Sequence, residues 1–114
     1  MPKLQIDRFI RREDHVVWRV VDGKGIVLNL EDGAYFELNP VGLAVWQRCD
    51  GRTTVGEIVR RISEQFGEDH ATVASDLMEF IADLRRRKIA EVLDEPLSTI
   101  NPRTRQSAAD YRGA

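Results

Sequence analysis

One cysteine, Cys49, stands in 114 residues, so no disulfide can close within the chain. A reduced, cytoplasmic setting is the expectation, with Cys49 as a small buried apolar residue. Histidine is nearly as scarce. His15 and His70 lie far apart, no Cys-x-x-Cys or His-Glu-x-x-His spacing occurs, and both read as surface residues rather than metal ligands. Apolar runs stop after a few residues, which excludes a membrane span, and Met1 to Arg8 lack the apolar stretch of a signal peptide. Neither sign of charge dominates: 17 basic against 19 acidic residues leave −2, so nothing attracts the chain generally to nucleic acid or anionic lipid. Gly23-Lys24-Gly25 is too short for a phosphate loop, and Ser63, Ser75, Ser98 and Ser107 sit outside any nucleophile elbow. These absences leave no candidate catalytic residue, no cofactor and no metal site.

What remains is an ordinary globular balance, 42% hydrophobic and 32% charged, in one small domain. Residues 1–15 read as a mixed, charged lead-in. Val16–Val21, Ile26–Leu30 and Ala34–Leu38 are rich in β-branched, aromatic and apolar side chains. Asp22-Gly23 and Asp32-Gly33 between them are hairpin signals, so an antiparallel meander of three strands is expected. Alternation places Ala34, Phe36 and Leu38 on one face and Tyr35 and Glu37 on the other. Asn39-Pro40 then starts a short apolar helix through Trp46, stopped at Asp50-Gly51 by a left-handed glycine. Thr54 to Glu57 form a capping box for a second helix that ends at Gly67. A third helix starts at Asp69 or Thr72 with a core stripe of Val73, Leu77, Phe80, Ile81 and Leu84, and closes on Arg85–Lys88. Residues 89–93 pack back as an extended segment. Residues 94–114 lose apolar periodicity and read as a flexible tail after a folded unit at 16–93.

The expected fold class is therefore α+β and winged-helix-like: a three-stranded antiparallel meander followed by three helices. Its third strand is an edge, with unpaired backbone N–H and C=O groups. Such an edge can take an extended peptide as an added strand, with the neighbouring helix as the second wall. The residues expected to bind are Ala34, Tyr35, Phe36, Glu37 and Leu38 on the strand and Asp76, Met78, Glu79 and Asp83 on the third helix. Tyr35 and Met78 are the apolar walls, and the three carboxylates face basic or polar peptide groups. The free edge also allows a homodimer. The alternative is a winged-helix nucleic-acid-binding protein. Against it, the third helix carries Asp76, Glu79 and Asp83, which phosphates repel.

Leu38-Asn39-Pro40, then Ala44, then Cys49-Asp50-Gly51-Arg52-Thr53-Thr54-Val55-Gly56-Glu57-Ile58-Val59, then Asp76-Leu77-Met78-Glu79-Phe80-Ile81-Ala82-Asp83-Leu84 together resemble the PqqD family over residues 16–93. The resemblance implies a recognition element for ribosomally synthesised precursor peptides. Such an element is a non-catalytic peptide chaperone that binds the leader between the third strand and third helix. It then presents the leader to a modifying enzyme: a radical S-adenosylmethionine enzyme in PQQ biosynthesis, or a leader protease in lasso-peptide pathways. The turn after the second strand, Asn29 to Gly33, departs from the Tyr-Pro-Glu-like turn expected of proteins committed to PQQ, which leaves the pathway open.

Overall fold

The computed structural model describes residues 6–97. In chain order the elements are β1 (Phe9–Arg12), β2 (Val16–Val21), β3 (Lys24–Asn29), β4 (Tyr35–Leu38), α1 (Pro40–Gln47), β5 (Asp50–Thr54), α2 (Val55–Phe66), α3 (His70–Arg86) and β6 (Ala90–Leu93). The strands β2, β3 and β4 form the expected antiparallel meander in that order, so β4 is an edge.

A second antiparallel sheet, ordered β5-β1-β6, accompanies the meander and corrects two expectations. The charged lead-in supplies its central strand. Ile10 of β1 is fully buried, and the Arg11 Nε donates to Glu91 on β6 at 2.6 Å. Cys49 to Thr54, expected only as a helix stop and a cap, contains β5. Arg12 N–H donates to the Cys49 carbonyl at one end, and Val55 N–H donates to Arg8 at the other. The register slips between Phe9 and Arg11, and Gly51 takes the left-handed φ of 78° that such an irregularity uses. The glycine conformation was therefore foreseen but its place was not: α1 ends earlier, capped at Arg48. Within the segment 89–93, Ala90–Leu93 is β6, paired along its length with β1, and the tail expected at 94–114 lies outside the described residues from 98 onward.

The helix starts follow the sequence closely. Asn39 caps α1 by accepting from Gly42 N–H at 2.7 Å, with Pro40 in the first turn. Thr54 Oγ1 caps α2 by accepting from Glu57 N–H, and Asp69 caps α3 by accepting from Thr72 N–H. The reciprocal half of the capping box is replaced: the Glu57 carboxylate accepts from Arg60 and Arg61 one turn ahead. Gly67 closes α2 at φ 65°.

The core lies between the sheets and the helices. Leu43 to Trp46 of α1, Ile58 and Ile62 of α2, and Leu77, Ile81 and Leu84 of α3 are all buried, with Val27, Ile10 and Ile89 from the strands and their margins. Trp46 is fully buried and meets Trp18 of β2 edge-on, 6.4 Å between centroids. The Arg12 guanidinium lies 5.3 Å from one ring and 5.8 Å from the other and donates to the Trp46 carbonyl. This contact ties the second sheet to the first. Asn29, itself buried, holds the β3–β4 turn against the end of α3. Its Oδ1 accepts from Glu31 N–H and its Nδ2 donates to the Arg87 carbonyl.

Candidate functional site

The hairpin between β3 and β4 decides which backbone groups of the edge strand are free. Gly33, at φ 77°, donates to the Asn29 carbonyl, and the Ala34 carbonyl accepts from Asn29 N–H at 2.9 Å. From there the ladder pairs Tyr35 with Leu28, Phe36 with Val27, Glu37 with Ile26 and Leu38 with Gly25. In an antiparallel ladder, a residue turns both its N–H and its C=O to the same side, and successive residues alternate. Phe36 and Leu38 thus spend their backbone groups on β3, whereas Ala34 gives β3 only its carbonyl and donates its N–H to the Asp32 carboxylate. Tyr35 and Glu37 turn theirs outward, to the open edge.

Beside that edge is a cavity of about 530 Å³ between β4, α1, the end of α2 and α3. Its apolar lining includes Val45, Ile62, Phe66, Val73, Leu77 and Phe80. Phe36 and Leu38 line it from the strand. Four carboxylates stand along it, Glu37, Glu68, Asp76 and Asp83, with Arg87 as the cation. Asp76, Phe80, Asp83 and Arg87 recur at intervals of four, three and four residues, the spacing that keeps side chains on one face of a helix. The Arg87 guanidinium lies over the Phe36 ring, 4.6 Å from its centroid, and its Nε donates to Asp83 Oδ2 at 3.0 Å. Arg86 donates to the other oxygen of Asp83 at 2.8 Å. Partial burial pushes the Asp83 carboxyl up, but the hydrogen bonds and charges of Arg87 and Arg86 outweigh it and hold Asp83 below the usual aspartate range. Arg87 therefore staples α3 to the start of β4.

Of the residues expected from the sequence, Phe36, Glu37, Leu38, Asp76 and Asp83 come together around this cavity. Tyr35 does not line it and is 70% exposed. Ala34 precedes the strand. Met78 and Glu79 do not line it either. At about 100° per residue Met78 is turned away from the face that carries Asp76, Phe80 and Asp83, and Glu79 lies at the margin of that face, about 40° from Asp83. Phe80, read as core, is half-buried and open to the cavity. The residues from α1 and α2, such as Val45 and Phe66, left no signal in the sequence, because their place depends on how three helices pack. Arg87 had one: it continues the Asp76–Phe80–Asp83 spacing.

Elsewhere the chemistry is quiet. Cys49 is fully buried, its thiol pushed up to about 12 by loss of solvent, and its Sγ donates to the Val45 carbonyl. His15 bonds the Lys88 carbonyl at 2.8 Å, and His70 is exposed at the start of α3. Among the described residues, no group of three His, Cys, Asp or Glu is placed to hold a metal, and no helix is long and apolar enough to cross a membrane.

A family model described as coenzyme PQQ synthesis protein D (PqqD) matches residues 24–90, more than half of the chain. PqqA binding proteins of three strains of Xanthomonas oryzae pv. oryzae are 30% identical over 53 residues, 46% of this chain. That stretch spans 58% of the length of these relatives. A solved structure, TbiB1 in complex with the TbiA(beta) leader peptide, superposes with a TM-score of 0.67 at 31% identity. It covers 71% of this chain and 94% of the other.

Proposed function

The chain belongs to the PqqD family, and from that premise we propose that it is a non-catalytic, cytoplasmic chaperone for the leader of a ribosomally synthesised precursor peptide. The leader adds as an antiparallel strand along Ala34–Leu38, bonds the outward backbone groups of Tyr35 and Glu37, and rests against Asp76, Phe80 and Asp83 of α3. The recipient is a modifying enzyme, a radical S-adenosylmethionine enzyme or a leader protease. The observation that carries this reading is the open β4 edge lying directly beside an apolar cavity of about 530 Å³. A backbone ladder is tolerant of sequence, so the cavity supplies the selectivity. The solved TbiB1 complex, in which a protein of similar fold holds a leader peptide, supports it. Duplex DNA is disfavoured because the exposed face of α3 presents Asp76 and Glu79 to any phosphate.

The test is titration of isotope-labelled protein with the leader of a precursor encoded beside its gene. Amide shifts are expected at Tyr35, Glu37 and the Asp76–Arg87 face. Shifts confined to the β5-β1-β6 sheet overturn the placement, and failure to bind any neighbouring precursor overturns the function.

A further inference from the structure

The groove has two unlike ends. Arg87 over Phe36 places the start of β4 at the C-terminal end of α3. The other end of β4 lies nearer the middle of that helix: a Cβ built on Gly42 meets Leu38 Cβ and Phe80 Cε1, each at 3.6 Å. From Phe80 to Arg87 the helix rises about 10 Å at 1.5 Å per residue, so β4 and α3 run in opposite directions along the groove. At the Arg87 end the carboxylate is answered, because Asp83 is bonded by both Arg86 and Arg87. Toward the start of α3 it is not. Asp76 and Glu68 line the cavity, both are exposed, and neither has an ion pair among the described residues. The same cavity has an apolar floor that includes Val45, Phe66 and Leu77.

Resting on the leader-binding reading above, in which the peptide runs antiparallel to β4, we infer that the groove selects for a cationic N-terminal flank. That flank lays an apolar side chain on the floor and a lysine or arginine against Asp76 and Glu68, and the C-terminal flank leaves past Arg87. A strand antiparallel to β4 enters at the Leu38 end and exits at the Tyr35 end, which fixes the order. The apolar floor supplies an anchor of the kind that dominates affinity, and the unanswered carboxylates supply complementarity to a cation. The arrangement also points the portion beyond the leader outward, away from the cavity, where an enzyme can reach it.

A library of random short peptides selected on the immobilised full-length protein tests this, with the exposed-site variant E68K/D76K alongside. The expected result is enrichment of peptides with Lys or Arg N-terminal to an apolar residue, and a switch to Asp or Glu in the variant. Reversing the cation in an enriched peptide should weaken binding to the wild type about ten-fold, less at high salt. A nitroxide on the N-terminus of such a peptide should broaden the amides of Phe66 to Asp76 rather than those of Tyr35 and Phe36. Enrichment without basic preference, or the same preference in the variant, overturns the inference while leader binding stands. Broadening at Tyr35 and Phe36 overturns the direction. Enrichment of no peptide at all overturns the leader-binding reading, and the inference with it.

Discussion

Replacing Glu37 by proline separates the backbone of the edge from everything else the strand does. Glu37 is exposed, and its N–H faces outward from β4, so the substitution removes no bond of the existing sheet. An edge strand accepts proline in that orientation, and the preceding residue, Phe36, already has the extended conformation that a following proline demands. The fold should therefore lose no more than about 1 kcal/mol. Binding loses one backbone hydrogen bond, a net of about 0.5–1.5 kcal/mol. The proline ring also stands where the added strand must approach. Dissociation constants should rise at least about five-fold, since each 1.4 kcal/mol is ten-fold. Glu37→Ala removes the carboxylate but keeps the N–H, and isolates the backbone effect. Phe36→Pro is the contrasting case. Its N–H is directed at Val27 on β3, so proline there breaks the meander itself and unfolds the protein instead of reporting on peptide binding. The assay is fluorescence anisotropy with the labelled leader, beside urea denaturation of each variant. Equal binding by folded Glu37→Pro and Glu37→Ala would refute the assignment of the free edge.

Trp46→Ala empties the centre of the core, where the ring is fully buried against Trp18, and should cost about 3–5 kcal/mol in urea unfolding; an unchanged midpoint contradicts the packing. Asp83 is held below the usual aspartate value of 3.8 in the folded protein, so its stabilising contribution is present above that pH and lost as pH falls through the folded value. Carbon-detected titration of the Asp83 carboxyl should show a midpoint below 3.8, and a midpoint at or above it refutes the pairing with Arg86 and Arg87. Cys49, with its thiol pushed up to about 12, should resist thiol reagents at pH 8 until urea unfolds the chain, and rapid modification of the native protein contradicts its burial.

What local chemistry controls was legible along the chain. Asn39-Pro40, Thr54 and Asp69 start their helices because each side-chain oxygen satisfies an N–H within three residues of itself. Asp22-Gly23 and Asp32-Gly33 turn the meander because the turns need positive φ, and period-two alternation set Phe36 and Leu38 inward. Those signals sufficed to mark Ala34–Leu38 as an edge beside a helix. The β5-β1-β6 sheet could not be read this way. Asp50-Gly51-Arg52-Thr53-Thr54 has weak strand propensity, and it is a strand because Phe9–Arg12, far away in the chain, brings it a partner and buries Ile10. The groove divides along the same line. Its strand backbone and the acidic face of α3 were legible as periodicities. The floor from Val45, Ile62 and Phe66, the exclusion of Met78 and the Arg87–Phe36 staple were decided only by how three helices pack against one sheet. A cavity is a property of surfaces meeting, and no single segment carries it.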